Sequence, residues 1–210
     1  VIEKDFDSSR NMVSESIFSL GNEYMGIRGY FEEGTTADAL VGSYFNGIYE
    51  FSDDVNKSAY KGIVNHTHFM VNSVDWLYTR IFVDGEQLDL KTADFKDFSR
   101  VIDLKNGTFT REFIWNTKSG KSLKVTFLRF LNMDKVNEGF QKISFEPLNF
   151  SGNIQMIMGL DFGTIQQTRG KNYWNVIKKE IVNEAVGAIG ETITSNQRIF
   201  SGFNLVSDKI

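Results

Sequence analysis

Residues 99–131, SRVIDLKNGTFTREFIWNTKSGKSLKVTFLRFL, carry the pattern that decides the fold class. In Lys121–Leu131, residues Leu123, Val125, Phe127 and Leu131 recur with period two, which places them on one face of an extended strand. The other face begins polar at Lys124 and Thr126 and turns apolar at Leu128 and Phe130, so this strand is expected to start half exposed and end buried on both sides. Asn106-Gly107 joins Ser99–Lys105 to Thr108–Asn116, and Ser119-Gly120 joins that strand to Lys121–Leu131. Such pairs supply the positive φ values of tight hairpins, and strands joined this way read as an antiparallel meander.

The pattern extends outward in both directions. Asp84-Gly85 joins Tyr78–Val83 to Glu86–Leu90. Downstream, Ile143 and Phe145 alternate with Ser144 and Glu146, while Ile154, Met156, Met158, Leu160 and Phe162 form a stripe opposite Gln155 and Asp161. Ser151-Gly152-Asn153 reads as a hairpin turn between Phe140–Leu148 and Ile154–Phe162. Pro147 stands near the end of the earlier strand, where a missing N–H is tolerated. The first 75 residues are richer in Gly, Asn and polar side chains and predict loops with brief strands, with at most a short turn in Ser8–Leu20. No segment sustains a helical stripe. The expected fold is all-β, a large antiparallel β-sandwich (super-sandwich) with little helix, residues 1–210 forming a single domain.

Composition supports such a core: 41% of the 210 residues are hydrophobic and 19 are Phe, enough to fold without cross-links. There is no Cys, which excludes disulfides, thiolate metal sites and a cysteine nucleophile. The net charge is −4 and Lys and Arg are scattered, so no concentrated basic face for nucleic acid is expected. Val1–Asp7 lacks a signal-peptide pattern and no run reaches membrane-spanning length, so no membrane role is expected. A bacterial cytoplasm is the expected compartment, although absence of Cys is equally compatible with export. The missing initiator Met and the ending Asp208-Lys209-Ile210, just after a strand-like run, suggest a fragment of a longer protein.

Several constellations invite chemical readings. His66 and His68 lie on one side of an expected strand and could face one metal ion, but they are the only histidines and the next acid is Asp75, so no metal site is expected. Gly21-Asn22-Glu23-Tyr24-Met25-Gly26-Ile27-Arg28-Gly29 matches neither the P-loop nor a dinucleotide fingerprint. Its glycines indicate tight turns or close backbone approach, with Arg28 expected to be held by Glu15 or Glu32. The acid pairs Glu32-Glu33 and Asp53-Asp54 read as solvated loop charges, because adjacent residues on an extended chain point apart. Neither His sits where a serine nucleophile would need it. Tyr44, Phe45, Tyr49, Trp76, Tyr173 and Trp174 could stack on sugar rings, but most are expected to be core.

The stretch Glu15-Ser16-Ile17-Phe18-Ser19-Leu20-Gly21-Asn22-Glu23-Tyr24-Met25-Gly26-Ile27-Arg28-Gly29, with Glu32-Glu33-Gly34 after it, resembles the opening motif of glycoside hydrolase family 65. Gly42-Ser43-Tyr44-Phe45-Asn46-Gly47-Ile48-Tyr49 resembles a second family segment. Val71-Asn72, Trp76-Leu77, Phe82-Val83-Asp84-Gly85-Glu86, Leu88-Asp89-Leu90, Arg100–Leu104, Gly107–Arg111, Arg129-Phe130 and Pro147–Gly152 follow in the family's order. Glu23 departs from it, standing where a second glycine is common.

The resemblance implies an amino-terminal β-sandwich whose catalytic helical barrel lies outside this chain. It implies an enzyme similar to maltose, kojibiose, nigerose and trehalose phosphorylases or to trehalose hydrolases. In the phosphorylases a barrel Glu protonates the glycosidic oxygen while phosphate attacks with inversion, releasing β-glucose 1-phosphate. On this reading the chain has no catalytic residue and no cofactor, inorganic phosphate being a co-substrate of the parent enzyme. The chain alone is expected to be inactive. Its partners are its own barrel, a second copy in a homodimer, and an α-glucoside substrate. Asn22, Tyr24, Arg28, Tyr44 and Asn46 are the candidate pocket-rim residues. A free-standing carbohydrate-binding module and a purely structural or adhesive sandwich are the competing readings.

Overall fold

The structure, a computed structural model, describes residues 1–52 and 67–207. A 3-10 turn at Ser8–Arg10 leads into one short helix, α1 (Asn11–Ile17). The early strands are brief: β1 (Ile2–Lys4), β2 (Leu20–Gly21), β3 (Met25–Ile27), β4 (Ser43–Phe45), β5 (Tyr49–Phe51) and β6 (His68–Met70). Then come β7 (Thr79–Val83), β8 (Glu86–Gln87), β9 (Asp94–Asp103), β10 (Thr108–Asn116), β11 (Ser122–Leu131), β12 (Gly139–Pro147) and β13 (Ile154–Met158). The last three are β14 (Trp174–Val182), β15 (Ala185–Thr192) and β16 (Arg198–Asn204). The fold is all-β and antiparallel with little helix, as the alternation predicts. The chain forms two compact units, Val1–Val41 with Leu77–Gly159, and Gly42–Trp76 with Leu160–Ile210.

The first unit is a sandwich. A five-stranded sheet in the order β1-β9-β10-β11-β12 faces a three-stranded sheet β13-β7-β8. Their inner faces share one core, to which Phe98, Phe113, Trp115, Leu123, Val125 and Phe127 come from the larger sheet and Ile81 and Val83 from the smaller. Rings stack across strands, Phe98 on Phe113 at 6.2 Å and Phe113 on Phe127 at 6.3 Å. Offset stacking at such spacing adds to the burial of apolar area that drives sheet pairing. The β9–β12 meander and the Asp84-Gly85 turn, both residues at positive φ, stand where the sequence places them.

Two expectations are corrected here. Ile154–Met158 does not form a hairpin with β12; it crosses to the other sheet and pairs with β7, Ile154 opposite Val83 and Met158 opposite Thr79. Phe150 and Ile154 pack against the shared core on the way, so the intervening segment serves as a crossover between sheets. Period-two alternation fixes a strand's faces but not its partner. The stripe itself is only partly covered, Met156 being 39% exposed. The second correction is in β11, which does not end buried on both sides: its outward residues Lys124 to Phe130 are half-buried throughout, and the buried face contains Arg129 among its apolar neighbours.

The second unit is built on a meander β14-β15-β16, a β5-β6 pair and a smaller core of Val71, Val74, Phe162, Tyr173, Trp174, Ala188 and Ile199. Trp174 donates its indole N–H to the Asn72 carbonyl at 2.7 Å. Glu50 is fully buried and accepts from the backbone N–H of Thr194 at 2.8 Å and of Ser195 at 3.0 Å, fixing the β15–β16 connection. Gly42 has φ +129°, and a Cβ there would lie 1.8 Å from Asn72 Oδ1, so no other residue fits without displacing a side chain that bonds the Ile165 carbonyl. No helix among the described residues is long and apolar enough to cross a membrane.

Candidate functional site

The stretch 22–36 lies in the first unit and is held from beneath by two arginines, Arg111 and Arg129, with a third, Arg100, beside them. Arg100, Arg111 and Arg129 occupy inward positions of β9, β10 and β11, and all are buried. Arg111 stands directly opposite Arg100, and Arg129 opposite Phe109, so like charges adjoin inside the sheet. Such an arrangement survives only if carboxylates and carbonyls compensate it, because an unpaired buried charge costs several kcal/mol, roughly 3–5 when one partner of a buried pair is removed.

Compensation comes from Glu3 for Arg100, whose Nε donates to Glu3 Oε2 at 2.8 Å, and from Glu32 and Glu33 for the other two. Arg111 donates through Nη1 to Glu33 Oε1 at 2.7 Å and through Nη2 to Glu32 Oε2 at 2.8 Å, and Nη2 also meets Glu33 Oε2. Arg129 pairs with Glu32 Oε1 at 3.3 Å. The faces of the guanidinium group of Arg111 lie over Phe31 and Phe127, each 4.2 Å from the ring centroid. Burial alone would lower the Arg111 pKa, but Glu33 and Glu32 outweigh it and hold the group more firmly charged than usual. Both acids are fully buried, which overturns their reading as solvated loop charges. The physical reason is a turn: Gly34 N–H bonds the Phe31 carbonyl at 3.0 Å, so the chain is not extended at 32–33 and both carboxylates swing inward.

Arg129 also donates to the main-chain carbonyls of Tyr30 at 3.2 Å and Arg28 at 3.1 Å. Thr79 N–H and Arg80 Nη1 both bond the Glu32 carbonyl, at 2.9 and 3.3 Å. At the strap's start, Gly29 N–H bonds the Glu15 carbonyl at the end of α1 at 2.7 Å, and a Cβ on Gly29 would come 2.8 Å from the Cβ of Phe18. Residues 28–33 are therefore a strap whose backbone is fixed by the buried Arg129, by Arg80 and by main-chain bonds to Thr79 and Glu15.

Of the candidate rim residues, Asn22, Tyr24 and Arg28 share this region. Asn22 Oδ1 accepts from Tyr24 N at 2.9 Å and Met25 N at 2.8 Å, an Asx turn, while Nδ2 donates to the carbonyls of Asn132 and Val136. Asn22 thus ties the β2–β3 turn to the β11–β12 connection. Tyr24 is exposed at 36%. Arg28 is half-buried and donates to Ser16 Oγ at 3.0 Å, whereas the two acids expected to hold it are engaged elsewhere. Glu15 accepts from Asn11 Nδ2 and Leu40 N, and burial raises its pKa against those bonds. Tyr44 and Asn46 belong to the second unit, Tyr44 half-buried in β4 and Asn46 exposed beside the Gly47 turn.

His66, Asp53 and Asp54 lie outside the described residues. His68 is exposed at the start of β6, its ring 5.8 Å from Phe51. Among the described residues no group of three His, Asp or Glu is placed to hold a metal ion. Tyr173 and Trp174 are core, as expected for most of the aromatics.

The geometry defines a β-sandwich domain in which interior charges hold a buried strap, residues 29–33, in one conformation. The chain belongs to glycosyl hydrolase family 65: the model described as "Glycosyl hydrolase family 65, N-terminal domain" matches residues 1–207. It is 29% identical over 206 residues to an alpha,alpha-trehalose phosphorylase of Thermoanaerobacter brockii, covering 93% of this chain and 26% of that protein. It is 28% identical over 211 residues to a kojibiose phosphorylase of Caldanaerobacter subterraneus subsp. tengcongensis, covering 98% of this chain and 26% of the relative. A solved structure described as "Putative kojibiose phosphorylase from human microbiome" superimposes with a TM-score of 0.89 at 39% identity, over 96% of this chain and 26% of that one. The chain thus spans about a quarter of the length of these relatives.

Proposed function

We propose that this chain is the accessory N-terminal domain of an enzyme that cleaves α-glucosidic disaccharides by inverting phosphorolysis to β-glucose 1-phosphate, or by hydrolysis. It supports a catalytic barrel, assembles as a homodimer, and lends Asn22, Tyr24, Arg28, Tyr44 and Asn46 to the pocket rim. Inorganic phosphate is the co-substrate, and the acid group comes from the barrel rather than from residues 1–210.

The observation that carries the supporting role is Arg129, which holds the Arg28 and Tyr30 carbonyls from inside the sandwich. Three buried arginines and two buried acids are an expensive way to stabilise a fold. They fix the buried segment 29–33, which continues from the β2–β3 turn that carries Asn22 and the exposed Tyr24, and an anchored turn suits a rim that must meet another domain. A free-standing binding module is the less supported reading, because in the relatives this stretch is about a quarter of a longer chain.

The test is the full-length polypeptide supplied with maltose, kojibiose, nigerose or trehalose, with and without phosphate. Phosphate-dependent release of β-glucose 1-phosphate supports phosphorolysis, phosphate-independent glucose release supports hydrolysis, and neither refutes the reading. Arg28→Ala and Tyr44→Ala should lower kcat/KM with the fold intact; unchanged turnover removes those residues from the rim.

A further inference from the structure

The hairpin of β14 and β15 stands out because its apolar side chains meet solvent on both faces. After Trp174, every residue of β14 is exposed, with Val176 at 51%, Ile177 at 45%, Ile181 at 74% and Val182 at 52%. Ile181 lies opposite Val186 and shares a face with Val176, whereas Val182 is on the other face with Lys178. On β16, Phe200 is 73% exposed next to Ile189, and Leu205 and Val206 continue the apolar run past the strand at 49% and 89%. Among the described residues β14 is also the outer strand of its sheet, with no strand on its far side. A long apolar edge strand in water is a feature that natural sheets blunt or cover.

We propose that this hairpin is an arm that packs against the remainder of its own polypeptide, an inference resting on the reading of the chain as the N-terminal domain of a longer enzyme. The matched stretch is 26% of each of two relatives, so the rest of such a chain is large enough to cover both faces of a hairpin. Leu205 and Val206 extend the patch on the side from which an N-terminal domain leads into the rest of its polypeptide. A second copy is the poorer occupant. Full antiparallel overlap of two β14 strands sets Lys178 against Lys178 at the two-fold axis, and like charges directly opposed destabilise a sheet pair.

Hydrogen exchange on the full-length protein decides it. The β14 amides directed away from β15 should exchange about a hundred-fold more slowly than free peptide groups, equally at high and low protein concentration. Free exchange of these amides in a full-length protein that still cleaves its disaccharide overturns the arm and leaves the functional reading standing. Protection that disappears on dilution assigns the face to a second copy and also overturns it. A protected arm in a polypeptide without disaccharide cleavage would sink the functional reading alone. As a second measurement, Ile181→Asp with Phe200→Asp, both on exposed positions, should lower the melting temperature of the full-length protein by several degrees, whereas no shift counts against the arm.

Discussion

In the first unit, strands of nine or ten residues, β9 to β12, close with β7 and β13 over a core that takes in Phe, Trp and even three arginines. In the second, β14 is as long as β10, yet only its first residue is buried. Both strands are rich in β-branched and aromatic residues, so propensity does not separate them. The difference is the second layer: β10 has a facing sheet that removes water from its inner face, while among the described residues nothing covers the far part of β14. With that layer in place, low dielectric strengthens the Arg111 contacts to Glu32 and Glu33 and makes the same groups costly to leave unpaired.

If the contrast is right, breaking a buried charge pair in the first unit has the largest effect. Arg111→Ala strands Glu32 and Glu33 in the core and should destabilise the chain by about 3–5 kcal/mol. Urea unfolding followed by Trp115 fluorescence reads it. A cycle with Glu33→Gln should show a coupling of at least about 1.5 kcal/mol, since the acid no longer needs its partner once neutral. Additive losses would mean that the buried Arg111–Glu33 pair is solvated after all. In the second unit the vulnerable position is a backbone one: Gly42→Ala combines a positive φ with a collision at Asn72 and should cost about 2–3 kcal/mol, visible at Trp174. An alanine accepted there without loss would show that the Asn72 side chain yields, weakening the picture of a tightly set small core.

The meander was legible because Leu123, Val125 and Phe127 alternate with polar residues over a strand bounded by turn pairs. The burial of Arg100, Arg111 and Arg129 is not read from the alternation, because a period-two reading assigns arginine to solvent. The signal was nevertheless present: Arg100, Arg111 and Arg129 fall in step with Phe98, Phe113 and Phe127 on the core face. Glu32 and Glu33 were misread by treating their segment as extended, when Gly34 closes a turn there. The β13 crossover was not legible, since Ile154 suits either sheet and only three-dimensional closure selects β7. Among the rim candidates, the part played by Asn22 as an Asx turn could be expected from its residue type, whereas its bonds to Asn132 and Val136 span over a hundred residues of sequence and leave no local trace.

A smaller effect sharpens the comparison at the surface of the first unit. Asp89 accepts from Thr35 Oγ1, Thr36 N and Oγ1, and Lys91 N, and clamps the end of the strap segment. Burial pushes its pKa up, but these hydrogen bonds together win and hold it below the ordinary aspartate value. A depressed folded pKa means stability that is complete above the unfolded value and is lost as pH falls through the folded one. Asp89→Asn should therefore cost about 1 kcal/mol at neutral pH and progressively less in acid. A loss that stays constant down to strongly acidic pH would show that the carboxylate charge contributes nothing.

The smallest effect belongs to the exposed arm. Ile181 is 74% exposed, so Ile181→Ser removes little buried area from the 210-residue chain and should change its stability by less than about 0.5 kcal/mol. Trp174, in the core where β14 begins, reports the unfolding of that unit. The near-zero result is informative because Ile199, on the same sheet but 7% exposed, should lose about 2–4 kcal/mol on truncation to Ala. Equal losses at the two positions would mean that β14 is already covered within this chain. The unequal pair would leave the far part of β14 unused by its own fold, which is the condition for an arm reserved for a neighbour.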